Sequence, residues 1–261
     1  MNQFCLTTRP VGEFEKVAAA AERLILLHRR GALGGEVMPE DANPGLPGGS
    51  EHNFRFFTLP MALNYQRDAY KLWASAKETY EDPDTVDVFS PQGVIHMEMD
   101  ALRDKLLRHK LALQPNRHPE IWMRLCQTFA SESDGSVKGF LAGHDFSVAR
   151  TKTHMLAHKK QFPYLSGAKI MNYWLYVLSQ YTDAAFADRA QISVAPDTHV
   201  LQASVRLGLI QPGDLASPRA RELVSELWAL ALRGTQFDPI DVHTPLWLWS
   251  RGGFVPDVEA S

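Results

Sequence analysis

The segment Phe162–Asn172, which reads FPYLSGAKIMN, decides the fold of this chain. Pro163 ends the helical pattern that comes before it, because proline lacks the backbone N–H that a helix interior needs. A new helical pattern begins near Gly167 and runs to about residue 178. The segment therefore predicts a turn between two helices, with Lys169 at the start of the second.

A second segment, Ile192–Val200, reads ISVAPDTHV. Aspartate is a preferred N-cap residue, so Asp197 after Pro196 predicts the start of another helix, which should end near Gly208. An amine and a carboxylate are thus expected at two helix starts, at Lys169 and Asp197. An amine can attack a sugar carbon, and a carboxylate can stabilise positive charge on that sugar.

Outward from these segments the pattern stays helical, and strand alternation is nearly absent, which predicts an all-α fold. Asp145 is the expected cap of the helix before the turn, and Ser217-Pro218 is the expected start of a late helix that Gly234 closes. Helical patterns cover residues 14–30, 59–79, 97–113, 119–131, 146–161, 167–178 and 197–208.

Two helical lobes are the expected organisation. A central lobe should span residues 58–178 and end in the turn between helices. Residues 1–57 and 179–261, the two ends of the chain, should form the second lobe. Ligand sites often lie in clefts between lobes, so the active site is expected there.

The composition restricts the possible cofactors and the compartment. The net charge of the 261 residues is −3, so binding of nucleic acid would need a local basic surface. The two cysteines, Cys5 and Cys126, lie far apart in the sequence, cannot make a four-cysteine zinc site or an iron–sulfur cluster, and give no disulfide framework. The sequence therefore predicts no metal and no cofactor. With no leader and no apolar run long enough for a bilayer, it also predicts a cytoplasmic protein, nucleoid-associated in a prokaryote, with no membrane partner.

A local basic surface is present in the stretch from Phe146 to Thr182, which contains no Asp or Glu. A charge run of this kind is often only a solvated helix face. The absence of acids over the whole stretch favours contact with phosphates. The basic residues that we expect to bind DNA are Arg150, Lys152, Lys159 and Lys160, with Lys169 in the same stretch.

These residues resemble the helix-hairpin-helix DNA glycosylases, the superfamily of endonuclease III and the 8-oxoguanine DNA glycosylases. The family's Gly-x-Lys, followed by small residues and an Asn, corresponds to Gly167-Ala168-Lys169 and Asn172. Its Asp-Thr/Val-His segment corresponds to Asp197-Thr198-His199. The resemblance implies that Lys169 is the nucleophile, that Asp197 is its acidic partner and that Gly167 belongs to the DNA-binding hairpin.

Weaker matches suggest further site residues. The segment Leu63–Asp68 resembles the family's helix-loop whose polar residue fills the gap left by a flipped base, which would be Gln66 or Asn64. An aromatic wall for that base could come from Trp247 or Trp249, with His199 nearby. At helical spacing the two tryptophans point apart, so only one can face a cleft while the other packs in the core. A structural role for His199 and a core role for both tryptophans are the competing interpretations.

Three departures from the family pattern favour a resemblance to a divergent branch, nearer the archaeal-type 8-oxoguanine glycosylases, over a close relative of endonuclease III. Leu165 stands where the usual hairpin has a glycine, and Lys169 and Asp197 are 28 residues apart, which is longer than in the endonuclease III type. No cysteine cluster follows, so the iron–sulfur loop of that type is absent.

The resemblance implies a monomeric, bifunctional glycosylase and abasic-site lyase that acts on double-stranded DNA containing a damaged base. An oxidised purine such as 8-oxoguanine is the first choice of lesion, and an oxidised pyrimidine is the second. Lys169 must be neutral to attack, which burial against Ile170, Tyr173 and Trp174 would favour. The alternatives are a catalytically silent DNA-binding protein on the same fold and an N-ribosyl hydrolase that acts on modified nucleosides.

Overall fold

A computed structural model describes residues 11–34 and 38–258. The described residues form helices and no strand, which confirms the all-α fold class. The α-helices are α1 (Val11–Arg29), α2 (Glu51–Phe56), α3 (Leu59–Ala62), α4 (Ala69–Glu81), α5 (Pro91–Val94), α6 (Met99–Arg108), α7 (Arg117–Ser133), α8 (Val137–Gly143), α9 (Val148–Ala157), α10 (Ala168–Tyr181), α11 (Thr198–Arg206), α12 (Ala220–Ala231) and α13 (His243–Arg251). Short 3-10 helices lie at Pro39–Asp41, Val86–Phe89, Arg189–Gln191, Pro212–Ala216 and Pro239–Val242.

The chain divides into two compact units. Of the described residues, 38–189 form the central unit, and 11–34 with 190–258 form the terminal unit. The sequence analysis placed the ends of the central lobe at residues 58 and 178, whereas the central unit runs from residue 38 to residue 189.

Residues on both sides of the expected boundaries explain the larger central unit. Glu51, which precedes residue 58, accepts hydrogen bonds from Ser136 Oγ at 2.6 Å and from Val137 N at 2.6 Å. Asp188, which follows residue 178, accepts from Val148 N at 2.6 Å. These carboxylates hold the starts of α8 and α9, so their segments belong with the central helices.

The core of the central unit is aromatic. Phe56 packs against Trp73 and stacks on Phe89 with ring centroids 5.8 Å apart. Helix α10 joins this core through Trp174, whose indole Nε1 donates to Thr58 Oγ1 at 3.0 Å. Since Trp174 is fully buried, α10 is fixed against the core, and its first turn holds Lys169 on a rigid element.

The terminal unit buries two tryptophans. Trp228 Nε1 on α12 donates to Ser204 Oγ on α11 at 3.0 Å, and Trp249 Nε1 on α13 donates to the Pro256 carbonyl at 2.8 Å. Helix α1 joins this unit through Arg23, which donates to the Val258 carbonyl at 2.9 Å. Buried indole N–H groups need acceptors, so these bonds fix the positions of two helices. They are α11, which Asp197 caps, and α13, which carries Trp247.

Two predicted helix starts are wrong. Helix α9 begins at Val148 and is capped by Ser147, whose Oγ accepts from Arg150 N at 3.2 Å. The predicted cap, Asp145, lies in a left-handed turn with φ of 55°. Helix α12 begins at Ala220 and not at the predicted Ser217-Pro218. Ser217 Oγ accepts from Arg219 N at 3.2 Å in the turn before the helix.

Candidate functional site

Lys169 is exposed in the first turn of α10. The N-cap of this helix is Gly167, which has no side chain to satisfy the first backbone N–H groups. The expectation that Lys169 is buried against Trp174 is wrong. The two residues are five positions apart, which places them on different sides of the helix, and Trp174 lies in the core.

The turn between α9 and α10 spans residues 158–167 and is closed by its own backbone. Ser166 N donates to the Phe162 carbonyl at 3.0 Å, and Gly167 N donates to the Tyr164 carbonyl at 3.0 Å. Tyr164 has a φ of 68°, which is uncommon for a residue with a side chain. A Cβ atom at Gly167 would lie 3.1 Å from the Tyr164 carbonyl oxygen, so the turn fits glycine best there.

Two of the predicted DNA-binding residues lie at the start of this turn. Lys159 and Lys160, which we call the turn pair, are exposed directly after the end of α9. Leu165, the residue that departs from the family's hairpin glycine, is fully buried beneath the turn. The turn thus presents basic side chains outward and anchors itself with an apolar one.

The other two basic residues that were predicted to bind DNA have partners within the fold. Arg150 and Lys152, which we call the helix pair, lie on α9. The guanidinium of Arg150 forms an ion pair with Asp145. Lys152 Nζ donates to Asn172 Oδ1 at 2.8 Å, and burial lowers the pKa of this lysine. Lys152 therefore ties α9 to α10.

Acids from outside the acid-free stretch complete this region, and the sequence pattern did not reveal them. Asp188 accepts from Ser147 Oγ and Ala149 N, each at 3.0 Å, and these hydrogen bonds lower the pKa of its carboxyl. Glu132 on α7 pairs with His154 Nε2 at 2.9 Å. Asp188 therefore occupies the N-terminus of α9, whereas the N-cap of α10 is a glycine.

The predicted wedge residues lie in the loop between α3 and α4. Gln66 is exposed with a φ of 45°, whereas Asn64 is half-buried. Between them Tyr65 contacts Tyr164 edge to face, with ring centroids 5.3 Å apart. Because Tyr164 belongs to the turn, the structure places Gln66 and the turn side by side in the central unit.

A small pocket lies between this loop and the turn. It is lined by Tyr65, Tyr164 and Arg117, whose guanidinium lies 5.9 Å from the Tyr65 ring centroid, together with His118 on α7. Burial, with nearby Arg67 and Arg117, lowers the pKa of His118 to about 4. Leu113 N donates to His118 Nδ1 at 3.2 Å, so a neutral imidazole holds this chain segment in place.

Asp197 lies in the terminal unit and caps α11, as the sequence predicted. Its Oδ1 accepts from Val200 N at 2.9 Å, and the residue is half-buried. The cap fixes the direction of the carboxylate.

Of the three residues predicted for the base pocket, Trp249 is buried in the core, whereas Trp247 and His199 are half-buried. Trp249 is fully buried and packs against Phe254, so it is the core tryptophan. Trp247 is half-buried, with the Arg251 guanidinium 4.6 Å above its ring and His199 at its edge. His199 Nδ1 also lies 3.2 Å from Ser250 Oγ, which joins α11 to α13.

Sequence reasoning missed a buried carboxyl group that contacts α10. Glu40 is 2% exposed, and its carboxyl accepts a hydrogen bond from the hydroxyl of Tyr173 on α10. The segment Pro39-Glu40-Asp41 has the pattern of an exposed helix start, so nothing in the sequence indicated its burial.

No family model matches this chain, and no curated protein matches it significantly. Over residues 11–34 and 38–258, no group of three His, Cys, Asp or Glu side chains is arranged to hold a metal ion. None of the described helices combines the length and apolar character needed to cross a bilayer.

Proposed function

We propose that this protein is a bifunctional DNA glycosylase and abasic-site lyase. The observation that supports it most is the exposure of Lys169 in the first turn of α10, directly after a turn that carries the exposed turn pair. An amine beside a phosphate-binding surface is the arrangement that attack on a deoxyribose of DNA requires.

DNA binding begins at the turn. Phosphates of one strand contact the turn pair, Lys159 and Lys160, and the backbone N–H groups at the start of α10 that Gly167 leaves without a side-chain cap. This contact does not depend on base sequence, because phosphates carry no sequence information.

The damaged nucleotide then leaves the base stack, because its C1′ atom is out of reach within the duplex. Gln66 fills the space that the base leaves. Its exposure and the contact of its neighbour Tyr65 with Tyr164 support this role, since they bring the loop to the turn.

Lys169 attacks C1′ as the base departs and forms a Schiff base with the sugar. The Schiff base permits β-elimination of the 3′ phosphate, which is the lyase step. The bound DNA would exclude water from Lys169 and so favour its neutral form.

Asp197 stabilises the positive charge that develops on the sugar. Capping of α11 supports the role, because a carboxylate with a fixed direction loses nothing to reorganisation during the reaction. Trp247 is the tryptophan assigned to stacking, since Trp249 is in the core. The first choice of substrate is an 8-oxoguanine duplex, and oxidised pyrimidines are the second.

The first test measures base excision from duplexes that each carry one lesion, with wild type and Asp197→Asn. Asparagine also caps helices, so the variant should fold and bind DNA normally. Loss of the charge should cost about 3 kcal/mol of transition-state stabilisation, which slows excision roughly a hundredfold. Near-normal excision by the variant would show that Asp197 is only a cap.

A catalytically silent DNA-binding protein is the second candidate. The exposed turn pair supports it, because contact between lysine side chains and phosphates needs no nucleophile. Tight binding of duplex DNA without excision of any lesion would select this candidate.

A further inference from the structure

Gln66, in the loop between α3 and α4, has an uncommon backbone conformation. Its φ of 45° lies in the left-handed region, which residues other than glycine, asparagine and aspartate rarely adopt. Its side chain is exposed. A backbone of this kind persists only where the surrounding structure holds it, and such conformations cluster at functional sites. The residues on either side of Gln66 show how this one is held.

Arg67 anchors the loop on one side of Gln66. Its guanidinium reaches the segment between α6 and α7, where Nη1 donates to the Leu111 carbonyl at 2.6 Å and Nη2 donates to the Lys110 carbonyl at 3.1 Å. The arginine is half-buried, so its fork is fixed in the fold and does not extend into solvent. Arg67 therefore ties the loop between α3 and α4 to a second loop of the central unit.

Tyr65 anchors the loop on the other side of Gln66. Its ring lies edge to face against Tyr164 of the turn between α9 and α10, with centroids 5.3 Å apart. Beyond the arginine, Asp68 begins α4 as its cap, since its Oδ1 accepts from Lys71 N at 2.9 Å. The fold thus holds the residues on both sides of Gln66 and leaves the Gln66 side chain exposed.

We infer that Arg67 and Tyr65 are positioning residues that hold Gln66 ready to enter the base stack, an inference that rests on the proposed function. The two anchors set the left-handed backbone of Gln66 before DNA binds. A side chain on a backbone that is already ordered loses less conformational freedom on binding, so more of the binding free energy remains for opening the base pair. Both residues act through Gln66 and need no contact with the reacting atoms.

This role distinguishes between substrates. Gln66 takes the place of a base that leaves its stack and its pair, and extrusion is least costly for a base that has no pairing partner. Loss of the anchors should therefore slow excision of a paired lesion strongly and excision of an unpaired lesion weakly. A merely structural role of Arg67 would slow both reactions equally, because it would change only the fraction of folded enzyme.

The activity test compares single-turnover excision of 8-oxoguanine opposite cytosine and opposite an abasic-site analogue. Arg67→Gln removes the fork that spans the two carbonyls. We expect the rate to fall roughly tenfold on the paired lesion and less than about twofold on the unpaired one, because misplaced groups slow the step that they serve. Tyr65→Leu, which removes the ring contact with Tyr164, should shift the ratio of the two rates in the same direction.

A double variant tests whether Arg67 acts through Gln66. Gln66→Ala should change the ratio of the two rates as Arg67→Gln does, because each variant lacks a correctly placed side chain. The two substitutions together should add little to either one, since residues that act through one another do not have additive effects. Effects that multiply as if independent would overturn the inference.

Arg103→Gln is the matched control. Arg103 Nε donates to the Pro115 carbonyl at 3.0 Å, so this arginine also holds the segment between α6 and α7. Its partners, Pro115 and Asp100, lie outside the loop that carries Gln66. Its ratio of the two rates should equal that of wild type. A wild-type ratio for Arg67→Gln, or an equal change for both arginine variants, would overturn the inference.

A measurement without chemistry separates this inference from the proposed function. 2-Aminopurine placed beside the lesion gains fluorescence when its neighbour leaves the stack, so it reports extrusion with no bond broken. At saturating protein, wild type and Arg103→Gln should give the same rise, and Arg67→Gln should give a much smaller one. A rise with wild type but no excision would contradict only the proposed function. Equal rises for wild type and Arg67→Gln, or no rise with wild type, would overturn the inference even where excision succeeds.

Discussion

The helix pair and the turn pair have the same charge and lie within one acid-free stretch, yet the fold treats them differently. Arg150 and Lys152, the helix pair, are held by Asp145 and Asn172. The turn pair is exposed beyond the end of α9. Lys152 therefore contributes to the structure, Arg150 is exposed but already paired with Asp145, and the turn pair is available to a ligand.

This difference shows that a basic run in the sequence leaves charge open to a ligand only where the fold does not pair it. Three acids outside the acid-free stretch pair with groups of α9. Asp145 pairs with Arg150, Glu132 with His154, and Asp188 accepts from the backbone N–H of Val148. The predictions below test whether the division between the two pairs is real, first through stability and then through DNA binding.

The largest effect on stability is expected from Asp188→Ala. The substitution removes the carboxylate that accepts from Val148 N and Ala149 N, so α9 loses its N-terminal partner. Loss of a cap costs about 1–2 kcal/mol, which urea denaturation at neutral pH can measure. Asp183→Ala removes only a surface ion pair with Lys138 and should cost less than about 0.5 kcal/mol.

The pH dependence of the same variant gives a further check. Hydrogen bonds hold the pKa of Asp188 below its usual value, so the ionised carboxylate stabilises the fold at neutral pH. This contribution is lost as the pH falls below the usual aspartate pKa and through the lower folded value. The gap between wild type and Asp188→Ala should therefore close in acid. A gap that is constant with pH would show that the charge contributes nothing.

Lys152→Met should destabilise the protein by about 1.5 kcal/mol, because a hydrogen bond from a charged donor to Asn172 is lost. Lys159→Met, the matched variant in the turn pair, should stay within about 0.5 kcal/mol of wild type. Thermal or urea unfolding of the two variants measures the contrast. Equal losses would mean that the helix pair has no special structural role.

Local sequence chemistry predicted much of the fold. Asp197 caps α11 as expected, and Gly31, Gly208 and Gly234 adopt the positive φ values of residues that follow helix ends. These features depend only on neighbouring residues. The cap of α9 could not be predicted in the same way, because Asp188, 40 residues further along the chain, reaches it through the tertiary fold.

The candidate site shows the same limit. The position of Lys169 at a helix start followed from Pro163 and Gly167, which are local signals. The bond between Glu40 and Tyr173 spans 133 residues, and no periodicity or spacing connects them. Burial of Lys169 was predicted from nearby apolar residues, but helix geometry directs Trp174 into the core and leaves the lysine exposed.

Salt-dependent DNA binding tests the turn pair directly. Lys159→Gln with Lys160→Gln should lower the slope of log affinity against log salt concentration by about 2, or about one unit for each phosphate contact, on duplexes of any sequence. Arg150→Gln should change the slope less than either lysine does, because Asp145 offsets part of its charge. Fluorescence anisotropy over a salt series gives both values. A larger change in slope for Arg150→Gln than for the double variant of the turn pair would show that Arg150, and not the turn pair, contacts the phosphates.

Borohydride trapping on a duplex that contains 8-oxoguanine tests the central claim most directly. Reduction of a Schiff base fixes the enzyme to the DNA, so a covalent adduct reports attack by an amine on the sugar. Wild type should form the adduct, and Lys169→Gln should form none while it retains its fold and its affinity for the duplex. An undiminished adduct in Lys169→Gln would contradict the account, because another amine would then be the nucleophile.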